Sequence, residues 1–138
     1  MWKKVPFFMA ACLFGSTWFA PSAALAQPAP SVTGKIHSLC EGLGLDPSEL
    51  GFTYCVMSLK ASVDLAIEFK APVNPNAPSG PAADPFGPNS FFRSPPREQH
   101  ARESSACTAL GFGPGSSMSR QCVGSLDGML QQVNNNGG

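Results

Sequence analysis

Four cysteines fall into two pairs of identical spacing. Cys40 to Cys55 and Cys107 to Cys122 are each C-x14-C, while a fifth, Cys12, lies in an apolar N-terminal run. Thiols can serve as a redox pair, a metal site or disulfides. No C-x-x-C occurs, so a thioredoxin-like centre has no motif to stand on. A spacing of fourteen does not match the short knuckles that hold structural zinc. An even set of four in a chain that also carries export signals reads as a disulfide framework.

The spacing belongs to a longer internal similarity. Cys40–Leu59 laid on Cys107–Leu126 gives eight identities in twenty ungapped positions: Cys40/Cys107, Leu43/Leu110, Gly44/Gly111, Pro47/Pro114, Cys55/Cys122, Val56/Val123, Ser58/Ser125 and Leu59/Leu126. Leu45/Phe112 is a conservative ninth. The chain therefore reads as a duplicated module, with too few copies for a solenoid.

Each copy predicts a helical hairpin. Val32, Ile36, Leu39, Cys40 and Leu43 recur at helical spacing, and Gly44 follows where a left-handed C-cap favours glycine. Asp46-Pro47-Ser48-Glu49 has the order of a capped helix start. It opens a long helix over 47–70 with Phe52, Val56, Leu59, Val63 and Ile67 on one stripe, ending before Pro72. In the second copy Ser94-Pro95 starts a segment running to Leu110 whose apolar face is thin, so the pattern over 97–106 is weak. Gly111 and the Gly113-Pro114-Gly115-Ser116 turn lead into a helix carrying Met118, Cys122, Leu126, Leu130 and Val133. Residues 134–138 are expected to be a disordered tail. A hairpin in each copy selects Cys40–Cys55 and Cys107–Cys122 from three possible pairings. Each bond would contribute about 3 kcal/mol by closing a loop of about 15 residues.

Between the copies, residues 71–96 hold eight prolines in 26 positions, with Pro72, Pro75, Pro78 and Pro81 at the three-residue period of polyproline II. A stiff spacer is the plain reading. Phe86, Phe91 and Phe92 sit in this segment, and either fold back onto a helix groove or meet a partner.

Other titratable groups are few. His37 is expected on a helix surface beside Glu41, and His100 in a solvated cluster with Arg97, Glu98, Arg102 and Glu103. Lys60, Asp64 and Glu68 read as the wet face of the long helix. With cysteine committed to disulfides, no nucleophile–base set remains, and no phosphate loop, calcium loop or H-E-x-x-H occurs. No catalytic residue, cofactor or metal ligand is assigned.

The pattern C-x3-G-[LF]-x2-[GS]-x3-F-x2-C, carried by Cys40, Gly44, Leu45, Ser48, Phe52 and Cys55, resembles a motif of small exported bacterial proteins of unknown function. The second copy keeps Cys107, Gly111, Phe112, Gly115 and Cys122 but has Ser119 in place of the aromatic. The resemblance covers about 40 residues in two copies. It implies an exported disulfide hairpin and lends no activity.

The N-terminus reads as a signal peptide over 1–26. Lys3 and Lys4 precede an apolar run from Val5 to Ala20, and Ala24-Leu25-Ala26 supplies a small-x-small cleavage site. A membrane anchor is disfavoured by Pro6 and Pro21, which bracket the run, and a lipidated Cys12 by the apolar residues that continue past it. The whole chain is neutral, with nine basic and nine acidic side chains. The 112 residues after Ala26 keep seven and nine, a net charge of −2. No electrostatic footprint for nucleic acid results, and no stable membrane span is expected after cleavage.

The expected fold is mainly α: hairpin modules at 27–70 and 97–133 joined by the Pro-rich linker 71–96. A second apolar row, Leu50, Tyr54, Met57, Ala61 and Leu65, exceeds what one short partner helix can cover. The expected function is non-enzymatic binding or scaffolding in the periplasm or outside the cell, through an unknown protein partner or self-association. Leu50, Tyr54, Met57, Leu65, Phe86, Phe91 and Phe92 form the candidate partner surface. The alternatives are a chaperone-like envelope-stress protein and, further off, a small enzyme or metal carrier using His37.

Overall fold

The described part of the chain, residues 31–136 in a computed structural model, is carried by four helices: α1 (Val32–Gly42), α2 (Leu50–Glu68), α3 (Pro96–Ala109) and α4 (Ser117–Asn136). A short 3₁₀ turn, Phe91–Arg93, precedes α3, and no strand occurs among the described residues. The expected signal peptide lies outside them.

The helix ends follow from local chemistry. Ser31 caps α1 by accepting from the Gly34 amide at 3.1 Å. Gly44 closes it at φ +84°, with its own N–H on Glu41 O (2.9 Å) and the Leu45 N–H on Cys40 O (3.4 Å). Gly111 closes α3 in the same way at φ +101°, through Thr108 O (2.9 Å) and Cys107 O (3.3 Å). In both places the left-handed conformation makes a side chain costly.

α2 begins at Leu50, one turn later than the Asp46-Pro47 signal indicated. Asp46 Oδ1 accepts from the Ser48 amide at 2.7 Å, so its acceptor is used in a local turn instead of on the helix. The helix stops at Glu68, where Lys70 takes the left-handed position (φ +54°) and the Ala71 N–H reaches back to Ala66 O at 2.8 Å.

In the second half the weakly patterned segment forms its expected helix, and the expectation for the tail is corrected. α3 is a continuous helix despite its thin apolar face. Pro96 supplies a pre-set first turn, Glu98 and Arg102 pair one turn apart, and Ala106 and Cys107 are buried. The tail expected to be disordered over 134–138 continues α4 as far as Asn136.

Two disulfides, Cys40–Cys55 and Cys107–Cys122, join α1 to α2 and α3 to α4, each with Cα atoms 6.0 Å apart. All four half-cystines are buried. Around them pack Leu39, Leu43, Leu59, Leu110, Phe112 and Leu126 among other core side chains. α2 packs most extensively on α4, while α1 lies on α2 and α3 on α4. At the α2–α4 contact the aligned serines meet, Ser58 Oγ to Ser125 Oγ at 2.9 Å. Ile67, expected on the buried stripe, is 64% exposed at the end of α2.

Residues 71–90 form no helix or strand, yet they lie against the helices. Asn74 N–H donates to Leu110 O (2.8 Å), and Phe91 N–H to Gly44 O (3.2 Å). Lys35 Nζ, on α1, donates to Ala77 O and to Ser79 Oγ (3.0 Å). Arg102, at the corresponding place on α3, donates to Leu43 O (3.2 Å) and Asn89 O (2.6 Å). The segment is thus bonded to both halves along its length.

Candidate functional site

α2 presents the larger of two candidate regions. One face is core: Phe52, Cys55, Leu59, Val63 and Ala66 are buried. On the adjoining face Leu50 is 67% and Met57 53% exposed, and Ala61 is exposed too. Tyr54 and Leu65 in the same row are half-buried. Beyond the row, Lys60 Nζ pairs with Asp64 Oδ2 at 3.0 Å in solvent, so the expected wet face is present. By length and composition α2 is the one described helix apolar enough to cross a membrane, although its other face is core.

The three linker phenylalanines separate. Phe91 is buried in the core at 3% exposure and is removed from the partner surface, because its amide and ring are both held against the α1–α2 turn and Phe92. Phe92 is half-buried, its ring 5.4 Å from Phe91 and edge-on to it. Phe86 alone is exposed, at 67%. Leu50 and Phe92 come together in an open cleft with Glu49, Gly51, Val133 and Asn134, where the start of α2 meets the end of α4. A Cβ on Gly51 would stand 3.0 Å from the Phe92 ring, so glycine permits that approach.

The second region lies between α3 and α4 and was not singled out by the sequence. Glu103, expected in a solvated cluster, is 1% exposed, and neither carboxyl oxygen has a hydrogen-bond partner among the described residues. Burial pushes its carboxyl up to about 7, and the Asp127 carboxylate adds in the same direction. His100 Nδ1 stands 3.8 Å from Glu103 Oε2, too far for a hydrogen bond. The sixty-seven-residue offset of the internal alignment places Glu103 opposite the buried Ile36, which is the signal that could have found it.

The same offset pairs Ser104 with His37 and Ser119 with Phe52. His37 does not pair with Glu41; its ring meets Phe52 edge-on with centroids 5.5 Å apart. Ser104 and Ser119 carry no ring, and there a cleft of about 270 Å³ opens, lined also by His100, Gly115, Arg120, Val123, Gly124 and Asp127. No group of three His, Cys, Asp or Glu side chains able to hold a metal occurs among the described residues.

Comparison with known proteins gives no match: no family model fits the chain, and no curated protein or solved structure matches it. Function therefore has to be argued from these two regions.

Proposed function

We propose that this is an exported, non-enzymatic binding or scaffolding protein, built from a duplicated disulfide hairpin and acting through the exposed apolar face of α2. The observation that carries the reading is the row from Leu50 to Leu65, with Leu50 and Met57 more than half exposed although the molecule already has a closed core. A helix face of that kind is stable in water chiefly as half of an interface. Phe86, Ile67 and Phe69 add exposed apolar area.

Export is supported by the N-terminal signal pattern and by two disulfides, a bonding state kept in the periplasm or outside the cell. Duplication is supported by the eight identities, by the shared glycine closures and by the Ser58–Ser125 contact. The Pro-rich segment acts as a strap between the hairpins as well as a spacer. The resemblance to small exported disulfide-hairpin proteins agrees with this reading and adds no activity to it.

Sedimentation of the oxidised protein tests the proposal. Concentration-dependent association that the Leu50→Lys/Met57→Lys double variant abolishes is the self-association outcome. Association unchanged by the double variant, or a monomer that neither captures a partner nor differs from the variant in doing so, would contradict it.

A further inference from the structure

The α3–α4 cleft has features that the α2 surface does not explain. A buried carboxyl with two unpartnered oxygens is costly in a small protein, and the other half of the chain avoids that cost by using Ile36 at the aligned position. The cleft also occurs where the other half packs a ring. Phe52 is buried between α1 and α2 with the exposed His37 ring edge-on to it, whereas the small Ser104 and Ser119 stand at the aligned positions in the wall of a cleft of about 270 Å³.

We propose that the α3–α4 cleft binds a small aromatic amine, its ring lodging beside Ser104, Ser119 and Val123 and its ammonium group lying against Asp127.

The ring is specified by the missing one. The position that carries a phenyl group in one half carries only the small Ser119 in the other, and the volume of the adjoining cleft suits a ring with a short substituent. The positive charge is specified by the carboxylates. Asp127 lines the cleft, its Oδ1 accepting from Gln131 Nε2 at 2.7 Å. Glu103 lies behind the wall, with His100 and Asp127, both wall residues, as its titratable neighbours. Arg120 is the one permanent cation of the lining, and its Nη1 is turned onto Gly115 O at 2.6 Å. An ammonium ion at Asp127 would offset the mutual repulsion of the two carboxylates and let Glu103 ionise. Binding should therefore release a proton near pH 6 and tighten as pH rises. A metal ion would need a ligand cluster that the described residues lack.

The test is calorimetry and amide chemical-shift titration of the oxidised protein with benzylamine, using benzyl alcohol and methylammonium as probes that each lack one half of the ligand. Saturable benzylamine binding is expected, with shifts centred on Ser104, Ser119 and Val123, at least about tenfold tighter than either probe. Affinity should rise between about pH 6 and about pH 8. Ser119→Phe, which restores the ring of the other half, should abolish binding while the thermal transition is retained. Asp127→Asn, on the surface and safe for folding, should weaken binding about tenfold. Equal binding of benzyl alcohol and benzylamine, undiminished binding by Asp127→Asn, or no saturable benzylamine binding would each overturn the proposal.

Discussion

Glu103 is a buried carboxyl whose two oxygens lack hydrogen-bond partners among the described residues. Its carboxyl is held at about 7 in the folded protein, against an ordinary value of 4.5, because burial disfavours the charged form. The folded state therefore keeps a proton that the unfolded chain has already released. Stability is fully present below about pH 4.5 and is lost as pH rises through about 7, by about 3 kcal/mol for a shift of this size. Urea midpoints measured across that window should fall with pH in the native protein, and Glu103→Gln should flatten the profile and raise the midpoint at pH 8. A native profile that is flat, or that rises, would show that Glu103 ionises freely. Lys35 and Arg102 belong at this scale too, since Lys35 holds the strap carbonyl of Ala77 and Arg102 ties that of Asn89 to Leu43 O at the end of α1. Arg102→Ala should cost about 1 kcal/mol, chiefly by removing the donor to the part-buried Leu43 O, and by releasing Asn89 O it should raise hydrogen exchange at Phe91. Stability or exchange unchanged in that variant would mean the strap is not held there.

At the scale of the elements, the two glycine closures and the two disulfides set the helix pairs. Gly111→Ala would place a Cβ 2.9 Å from Asn74 N at a positive φ, so it should destabilise by about 2 kcal/mol or more and loosen the strap at Asn74. Gly115→Ala, at φ +76° but with open space around it, should cost less. Thermal melts of the pair separate steric contact from backbone strain. These closures were legible in the sequence, because a glycine directly after an apolar helical stripe has one main structural use. The cysteine pairing was legible for a related reason: the internal alignment reduced three choices to one. Other features were not. Asp46 resembled a helix cap but bonds Ser48 instead, and α3 carries too few apolar residues for periodicity to reveal it. The burial of Glu103 was hidden because a glutamate among arginines on a polar helix reads as solvated. Only its alignment with Ile36 contradicts that reading.

For the whole molecule, α2 and α4 form the most extensive helix contact and meet at Ser58 and Ser125, with α1 packed on α2, α3 on α4 and the proline-rich segment bonded to both pairs. Reduction should therefore act on both halves at once. Dithiothreitol, or the paired Cys107→Ala/Cys122→Ala change, should lower the unfolding free energy from urea titration by about 3 kcal/mol per bond lost, and a change well below about 1 kcal/mol would place the stability elsewhere. The two helix pairs differ on the surface. The first half buries Phe52 and exposes an apolar row, while the second half opens a cleft beside a buried acid. The row is where binding is expected, and the sequence revealed it because Leu50, Met57 and Leu65 recur at helical spacing outside the core stripe. Phe91 was misplaced in that surface because proline-rich sequence gave no sign that the strap turns its ring inward. Photo-crosslinking in the native host, with a benzophenone amino acid at Met57 and a control at the exposed Thr33 of α1, tests this most directly. A discrete adduct from Met57, of dimer or single-partner mass and absent at Thr33, is the predicted result; no adduct at Met57 beyond the Thr33 background would contradict it.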